Sequence, residues 1–333
     1  MKKTVIVLGT WSSGSGAVSD YLSSRKDFTS PFGTNEFKII SDPMGLHYLF
    51  KNFYSSNSLL HPTFAYENFE KYIYKLEKHK IFISPGVKKK LYNKKLIDST
   101  RSFLKKISKL TYYGFPHYKA VTVGLDKKIS IRLRAAFSNT NVFHTQKLFP
   151  IILPVNKEKF IKEAKKYISN VIKSNSKYRF RNENLVLNNG AEILDPIESS
   201  KYYKNPKIIC VLRDARDIFC GMKMRQANST PSYDVKLFIK WYKHNFTNYK
   251  FQKILKDKRI LVVKFENFVL NFKRENKRIC RFLNIKEKNN FKKNSLNSFD
   301  IKFSRSNVYK SKKFLSKNEY QLIKKQLKNY LQW

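Results

Sequence analysis

The chain has 333 residues, of which 41% are hydrophobic and 15% aromatic, so it can bury a large core and intrinsic disorder is excluded. Its 68 Lys and Arg residues against 24 Asp and Glu give a net charge of +44. This charge favours a polyanionic partner, such as a nucleic acid, an acidic glycan, an anionic membrane surface or a multiply phosphorylated nucleotide. The basic residues are also spread along the whole chain, and a solvated surface accounts for many of them.

The cysteines and the N-terminus indicate a reducing, soluble setting. Cys210, Cys220 and Cys280 lack the spacing of a disulfide framework or a zinc site, and the six histidines lack metal-ligand spacing. We therefore expect buried free thiols and no bound metal. The apolar run in "MKKTVIVLG" ends too early for a signal peptide, and no stretch reaches the ~18 apolar residues of a membrane-spanning helix. These features predict a soluble, cytoplasmic protein.

The first predicted element is a strand, followed by a glycine-rich turn and a helix. Residues 4–8 are apolar in succession, which is typical of a parallel strand covered on both faces. "GTWSSGSGAVSD" (9–20) follows, and apolar residues recur at helical spacing from Gly16 onward. "FKIISDP" (37–43) is predicted as a second strand that ends before Pro43.

Residues from about 45 to 180 have a different pattern, with apolar residues on one face of successive helices. The first such stripe runs from Phe69 to Leu76, the second from Leu96 to Leu110 and the third from Phe160 to Val171. We predict that these helices are an insertion after the second strand, within a single domain that spans residues 1–333.

The alternation of strands and helices returns in the last third of the chain. "KIICVL" (207–212) and "RILVVK" (259–264) are predicted strands, and 233–255 and 272–283 are predicted amphipathic helices. Ser316 and Glu319 have the spacing of a capping box at the start of the last helix. Strands that alternate with helices predict an α/β fold with a parallel sheet flanked by helices.

The glycine-rich turn has nearly the spacing of a phosphate-binding loop. In such a turn successive backbone N–H groups point at one oxyanion, and the N-terminus of the next helix adds partial positive charge. The lysine and the magnesium-binding hydroxyl of a complete loop are replaced here by Ser15 and Gly16. A metal-dependent kinase or ATPase is therefore disfavoured. Sulfuryl transfer is an alternative that fits a loop without lysine and metal. The transferred sulfo group carries less negative charge than a phosphoryl group, so backbone amides and hydroxyls suffice to hold it.

A second stretch, "KIICVLRDARDIFCGMKMR" (207–225), places Arg213 just beyond a strand. Open α/β sheets bind their ligands at the carboxyl ends of strands, and a guanidinium there can bind a phosphate through two hydrogen bonds. Asp214 and Asp217 flank Arg216, where they either cap the following helix or pair with the arginines. A purely structural cluster of ion pairs is the alternative interpretation.

At four segments the chain resembles sulfotransferases that use 3′-phosphoadenosine-5′-phosphosulfate (PAPS). "LGTWSSGSGAVSDYL" and "VLRDARDIF" are similar to that family's 5′-phosphosulfate loop and 3′-phosphate motif. "ILVVKFENFVLNFKRENKRICRFLNI" (260–285) and "SRSNVYKSKKFLSKNEYQLIKKQL" (304–327) resemble the strand and helix that follow, and the closing basic loop with the last helix. The resemblance covers about the first 40 and the last 130 residues.

This resemblance implies a P-loop-like parallel sheet and a metal-independent transfer from PAPS to a hydroxyl or amine acceptor, with a glycan among the candidates. The resemblance does not extend to the inserted segment, about 45–180, which we interpret as a basic, aromatic-rich helical cover on the acceptor side that suits a glycan. Ser12, Ser13, Gly14, Ser15, Gly16 and Ala17 would hold the 5′-phosphosulfate. Arg213 would hold the 3′-phosphate, with Ser304, Arg305 and Asn307 closing over it.

The chain departs from the family pattern at two positions in the donor site. Family loops carry Lys or Arg where Ser12 stands, and a serine that contacts the 3′-phosphate is replaced here by Gly221. We expect a cation from the same helix, Lys223 or Arg225, to compensate, or the donor to bind weakly.

An acceptor hydroxyl must lose its proton as it attacks sulfur, so a carboxylate or an imidazole must reach it. Glu36 is the first candidate because family members carry a Glu or His after the second strand region. His47 and His144 are further candidates. Asn188 and Asn189, in "LVLNNGAEILDP" (185–196), are candidate acceptor-binding residues, with an ordinary Asn-Gly turn as the alternative.

Two other functions remain open at this point. One is a P-loop phosphotransferase that uses ATP and magnesium. The other is a basic nucleic-acid-binding protein without catalysis, although the sequence contains no recognised nucleic-acid motif and we expect no specific nucleic-acid partner. A peripheral contact with an anionic surface is compatible with the charge.

Overall fold

The structure is a computed structural model that describes residues 3–33, 35–55, 58–84, 87–116, 118–119, 124–138, 148–175, 184–226, 230–247, 249–287 and 300–331. The chain divides into two compact units, one of Met1–Ser41 with Ile172–Trp333 and the other of Asp42–Val171. Each unit is described separately below.

The described strands are β1 (Thr4–Gly9), β2 (Phe28–Thr29), β3 (Lys80–Ser84), β4 (Val87–Lys90), β5 (Ser108–Gly114), β6 (Phe149–Pro154), β7 (Asn184–Asn188), β8 (Pro206–Leu212) and β9 (Ile260–Lys264). The described α-helices are α1 (Ser15–Ser24), α2 (Leu46–Tyr54), α3 (His61–Lys78), α4 (Lys95–Ile107), α5 (Leu125–Phe137), α6 (Lys157–Asn175), α7 (Pro196–Ser200), α8 (Ala215–Met224), α9 (Val235–Phe246), α10 (Tyr249–Ile254), α11 (Phe265–Leu270), α12 (Phe272–Leu283), α13 (Ile301–Arg305), α14 (Ser311–Phe314) and α15 (Lys317–Gln326). A 3₁₀ turn follows at Lys328–Tyr330. Among these helices none has the length and apolar character needed to cross a membrane.

The first unit contains a parallel sheet in which the described strands follow the order β2-β7-β1-β8-β9. The central strand β1 pairs in parallel with β7 on one side and with β8 on the other, and β9 pairs in parallel with β8. Because its central strands are covered on both faces, they are apolar in succession, as the residues of β1 predict. The predicted α/β class, a parallel sheet flanked by helices, is confirmed.

Two apolar clusters hold helices in the first unit. In one cluster, alternate residues of β1 and β8 pack with α1, α11 and α12 through Val5, Ile209, Tyr21, Phe268 and Ile279, all of which are buried. In the other cluster, α8, α9, α10 and α15 meet. Cys210, Cys220 and Cys280 are buried free thiols, as the sequence predicts.

The second unit combines helices with two antiparallel strand pairs, β3–β4 and β5–β6. Its core is aromatic, and Phe103 stacks on Tyr167 with ring centroids 4.8 Å apart. Phe160 from the start of α6 contacts Phe103 and also Phe50 of α2, edge to face. The apolar stripes predicted for α3, α4 and α6 therefore form the core of this unit.

The two strand pairs of the second unit were not predicted, since the sequence analysis assigned only helices to the insertion. Leu110, assigned to a helical stripe, lies in β5 and is 54% exposed, since α4 already ends at Ile107. Several apolar residues of β5 face solvent, so this strand lacks the pattern of buried and exposed residues that distinguishes a strand from a helix.

Two boundaries in the first unit also differ from the predictions. The second strand of the sheet is Phe28–Thr29, and residues 37–43 form a turn whose apolar residues are buried without being extended. The predicted helix over 233–255 is divided into α9 and α10. Phe246 of α9 and Phe251 of α10 pack against each other across this division, with ring centroids 5.4 Å apart. The apolar pattern of the sequence therefore reads as one continuous helix.

The turn between β1 and α1 depends on two residues with positive φ. Ser12 has φ 59° and Gly14 has φ 86°, and Gly14 is the N-cap of α1. A Cβ atom on Gly14 would lie 2.2 Å from the ring of Phe265, whereas a Cβ on Gly16 would have no atom within 4 Å. Gly14 therefore satisfies both a backbone and a packing requirement, and Gly16 satisfies no packing requirement.

These two glycines form a matched test of the turn. We expect Gly14→Ala to lower the free energy of unfolding by about 2 kcal/mol or more, because it adds left-handed strain and an overpacked contact. Gly16→Ala should change it by less than about 1 kcal/mol, because alanine is a good helix former and meets open space. Urea unfolding of both variants measures the difference, and equal effects would contradict this account of the turn.

Candidate functional site

The register of the sheet brings the functional segments to one edge. In β1, Val7 pairs with Asn188 of β7, and Gly9 pairs with Val211 of β8. Leu212 pairs with Lys264 of β9. The carboxyl ends of the four strands therefore lie side by side, and the turn after β1 lies next to the residues that follow β7, β8 and β9. This is the edge at which open parallel sheets bind ligands.

The turn after β1 folds tightly over its first glycine. A Cβ on Gly9 would lie 2.1 Å from Oγ of Ser13 and 2.6 Å from Cβ of Ser15, so only glycine allows these side chains to fold inward. The Ser13 hydroxyl is buried and has no hydrogen-bond partner in the described part of the chain. No side chain caps α1, and the first N–H groups of a helix have no partner within it. This arrangement suits an oxyanion.

Arg213 connects the turn to two other segments. Its Nη1 donates to the carbonyl oxygen of Ser12 at 2.8 Å, and its Nη2 donates to the carbonyl oxygen of Asn307. The guanidinium lies over the ring of Phe265, 4.9 Å from the ring centroid. Its Nε is buried without a partner among the described residues, so Arg213 retains a donor for an anion.

The charge on Arg213 is held in a buried environment. Burial lowers the pKa of Arg213, and the positive charge of Arg225 acts in the same direction. The carboxylates of Asp217 and Glu266 oppose this effect, and the oxygen of Asp217 lies 3.7 Å from Nη2. The ordinary pKa of an arginine is so high that the guanidinium remains charged. The carboxylate of Asp217 balances this charge only in part, because its oxygen lies beyond hydrogen-bond distance of Nη2.

Glu266 is a buried acid behind this cluster that the sequence analysis did not identify as a site residue. Its Oε1 accepts a hydrogen bond from the backbone N–H of Asp214 at 3.0 Å, and its Oε2 has no partner in the described ranges. Burial raises the pKa of Glu266 to about 7, against hydrogen bonds from backbone N–H groups that lower it. Glu266 therefore changes charge near neutral pH, next to the residue that follows Arg213.

The two aspartates after β8 have separate structural roles. Asp214 caps α8 by accepting from the N–H of Arg216, and it also pairs with the Arg216 guanidinium at 2.8 Å. Asp217 is fully buried and accepts from the backbone N–H groups of Tyr309 and Ser311, both at 2.9 Å. The carboxylate of Asp217 thus fixes the C-terminal segment near Arg213.

Glu36 lies at the same sheet edge, one side chain away from the turn. Its Oε1 accepts from Nδ2 of Asn189 at 2.5 Å, and Oδ1 of Asn189 accepts from the N–H of Gly9 at 3.1 Å. Its Oε2 lies 2.8 Å from the ammonium of Lys38, and the side chain is 42% exposed. Asn189 has φ 47°, as expected for a turn residue, and it joins the first base candidate to the turn.

The other predicted site residues lie in different parts of the chain. Asn188 ends β7 and is buried, while Ser304 is buried and Arg305 exposed in α13. His47 lies in α2 of the second unit and is buried there. His144 lies outside the described residues. In the part of the chain that the structure describes, no three His, Cys, Asp or Glu residues are grouped to hold a metal ion.

The two departures from the family pattern lie against each other. A Cβ on Gly221 would lie 2.9 Å from both Cβ and Oγ of Ser12. The ammonium of Lys223 pairs with Glu319 at 2.7 Å, and its role as the compensating cation stays a prediction. Arg225, which follows α8, is exposed, and its positive charge lowers the pKa of Arg213. The absence of a side chain at 221 is therefore a packing requirement of Ser12 in its left-handed conformation.

Phe265 and Glu266 were missed because an apolar strand followed by "FENF" is typical of ordinary packing. Their position in the sequence could have identified them, because they directly follow β9 in the way that Arg213 directly follows β8. Parallel neighbouring strands bring such positions together.

The fold and this edge define an α/β protein with a glycine-rich turn between β1 and α1 and a buried arginine beside it. Residues 187–289, which include β8, Arg213 and β9, match the sequence model described as "Sulfotransferase family". The predicted resemblance to this family is confirmed over these residues. The chain is also similar to the solved structure of sulfotransferase STF9 from Mycobacterium avium, with 11% identity and a TM-score of 0.39 over 99% of this chain and 77% of that one. A search of curated proteins finds no match.

The contact between Ser12 and Gly221 predicts an energetic coupling. We expect Gly221→Ser to lower the free energy of unfolding by about 1–3 kcal/mol, because the added atoms overpack against Ser12. Ser12→Gly should restore most of this loss in the double variant, because it removes both atoms that the new side chain meets. Urea unfolding of the four proteins gives the coupling energy, and effects that add to within about 0.5 kcal/mol would contradict the contact.

The raised pKa of Glu266 predicts a change of stability with pH. The folded state keeps the proton of Glu266 up to about pH 7, whereas the unfolded chain loses it near 4.5, so stability falls as pH rises through this window. Glu266→Gln should remove this part of the fall, which is at most on the order of 3 kcal/mol. Urea unfolding at pH 5 and pH 8 measures it, with the exposed Glu198→Gln as control. An unchanged pH dependence in Glu266→Gln would count against the shift.

Proposed function

We propose that the protein transfers a sulfuryl group from PAPS to a hydroxyl or amine acceptor, with a glycan as the first acceptor class to examine. The observation that supports this most directly is the hydrogen bond between Arg213 and the carbonyl of Ser12, which joins the two donor motifs at one sheet edge. The sulfotransferase match of residues 187–289 agrees with transfer of this kind.

The residues at this edge fit PAPS, which carries two anionic groups, because they include buried hydrogen-bond donors without a partner in the part of the chain that the structure describes. Two buried donors, Oγ of Ser13 and Nε of Arg213, have no partner among the described residues. Leaving a buried donor unsatisfied is costly, so both groups gain when an anion accepts from them. The uncapped start of α1 adds partial positive charge, and the net charge of +44 attracts anions to the protein.

The proposed roles follow the sequence motifs. The cradle consists of Ser12, Ser13, Gly14, Ser15, Gly16 and Ala17, and it holds the 5′-phosphosulfate through N–H and O–H donors. Arg213 holds the 3′-phosphate, with Ser304, Arg305 and Asn307 beside it. When bound, the donor supplies an electrophilic sulfuryl group and a phosphate leaving group. The preorganised donors of the cradle stabilise the negative charge that increases at this end of the site during transfer.

Glu36 is the proposed general base. Its carboxylate is half-exposed, so an acceptor can approach it, and Asn189 fixes its orientation through a hydrogen bond. Asn189 is in turn bound to Gly9, so the position of the base follows that of the cradle. We propose that Glu36 accepts the acceptor proton, and that Asn189 acts as its positioning residue. Asn188 and Asn189 as acceptor contacts, and His47 and His144 as bases, remain predictions.

Three further expectations also remain predictions. They are the glycan as acceptor, the cytoplasmic location, and the acceptor-side role of residues 45–180 within a single domain. The alternatives from sequence, an ATP- and magnesium-dependent phosphotransferase and a nucleic-acid-binding protein, are outcomes of the experiment below.

The proposal is tested by donor-product binding followed by transfer. Adenosine 3′,5′-bisphosphate should raise the melting temperature more than AMP or ATP with magnesium, because only the bisphosphate carries both anions of the donor. In Arg213→Ala the affinity for the bisphosphate should fall at least tenfold while that for AMP changes little, since a charge-assisted hydrogen bond contributes about 1.5–3 kcal/mol. Exposed Arg281→Ala is the matched control. Arg213→Lys keeps a cation and tests whether the alanine variant is merely misfolded.

Transfer is then measured with radiolabelled PAPS and a panel of glycans, hydroxylated small molecules and amines. Glu36→Gln should lower kcat by about 100-fold or more without weakening bisphosphate binding, because proton transfer to a positioned base contributes roughly 10²–10⁴-fold. Stabilisation by ATP with magnesium but not by the bisphosphate would overturn the proposal in favour of a phosphotransferase. Salt-sensitive nucleic-acid binding that is indifferent to Arg213→Ala would favour the non-catalytic alternative.

A further inference from the structure

Helix α5 in the second unit carries an apolar stripe on its solvent side. Leu125, Ile129, Leu133 and Phe137 recur at every fourth residue and are 77%, 58%, 52% and 87% exposed. Residues four apart lie on one face of a helix, so these side chains form a continuous row. Ala135, on a different face, is buried. The helix therefore buries Ala135 on one face and presents these four larger apolar side chains on another.

Cationic residues border this row. Lys128 and Arg132 follow it on one side and Arg134 on the other, and all three are exposed. Arg134 also donates to Oγ of Ser130 one turn earlier, at 2.9 Å. The 13 residues of the helix include a single acid, Asp126, in the first turn. The combination is an apolar row between positive borders.

The composition of this face indicates the chemistry of its partner. Contiguous exposed apolar side chains are uncommon on soluble proteins and mark surfaces that contact a partner. A helix with leucine and phenylalanine on one face and Lys and Arg beside them is typical of helices that lie in the plane of a membrane interface. The surface of an anionic membrane matches both the apolar row and the cations beside it. The row enters the boundary of the acyl chains, and the cations bind lipid phosphates.

We propose that α5 docks the protein on an anionic phospholipid surface, with the row from Leu125 to Phe137 inserted at the interface. The helix lies on the membrane and does not span it, because its 13 residues fall short of the ~20 that a spanning helix needs. The general charge of +44 brings the protein to the surface, and the apolar row fixes which face meets it. This proposal is independent of sulfuryl transfer.

Vesicle co-sedimentation tests the proposal with the full chain. At physiological ionic strength the protein should bind vesicles of phosphatidylcholine with 30% phosphatidylglycerol, and bind pure phosphatidylcholine at least tenfold more weakly. Leu133→Ser combined with Phe137→Ser should weaken binding to the anionic vesicles at least tenfold. The matched control combines Leu59→Ser with Phe314→Ser, which removes an exposed leucine and an exposed phenylalanine elsewhere, and should leave binding unchanged. Melting temperatures verify that each variant is folded.

A fluorescent probe separates insertion from simple charge attraction. The cysteines Cys210, Cys220 and Cys280 are buried, so a maleimide dye should label an added surface cysteine selectively. On anionic vesicles an environment-sensitive dye on Ala136→Cys should shift to shorter wavelength, whereas the same dye on Lys317→Cys should not. Binding that the row variant leaves intact, or a dye on Ala136→Cys that stays in water, would overturn the proposal. Failure of the full chain to bind the anionic vesicles would overturn it as well.

Discussion

The site depends on a single buried guanidinium that bonds to main-chain oxygens of two distant segments. Arg213 follows β8, yet its hydrogen bonds end on the carbonyls of Ser12 and Asn307 and its face rests on Phe265. Carbonyl oxygens accept its hydrogen bonds without neutralising its charge, and the carboxylate oxygen of Asp217 lies 3.7 Å from Nη2. The cluster is thus assembled by an ion whose charge remains available to a ligand. That combination explains how one residue organises the sheet edge and keeps its own positive charge there.

The same edge shows why two unusual residues occur together. Ser12 and Gly221 each remove a contact expected of the family, and in sequence they look like two independent losses. In space they are one contact, because the left-handed backbone at Ser12 brings its side chain against the α-carbon of Gly221. A side chain at position 221 therefore requires a rearrangement at Ser12. The two positions are therefore altered as a unit, beside the guanidinium of Arg213, which donates to the carbonyl oxygen of Ser12.

Sequence reasoning succeeded where a pattern reflects local geometry. The apolar runs of β1, β8 and β9 and the capping box at Ser316 were all predicted, since each depends on neighbouring residues alone. It failed at 37–43, where burial without extension produces the same apolar signal as a strand. It also missed Glu266, because a buried carboxyl after an apolar strand acquires its significance from the adjacent Asp214 loop. The link from Glu36 through Asn189 to Gly9 likewise needs strand register, which sequence alone does not supply.

The way in which Asp217 holds the C-terminal segment has a consequence for how such proteins diverge. Its carboxylate binds the main-chain N–H groups of Tyr309 and Ser311, which every residue except proline possesses. The path of the chain beside Arg213 is thus held through main-chain groups, since Arg213 also donates to the carbonyl oxygen of Asn307, and the exposed side chains along that path can be exchanged. A lineage that keeps this aspartate can alter what the segment offers to a ligand without rebuilding the loop that presents it.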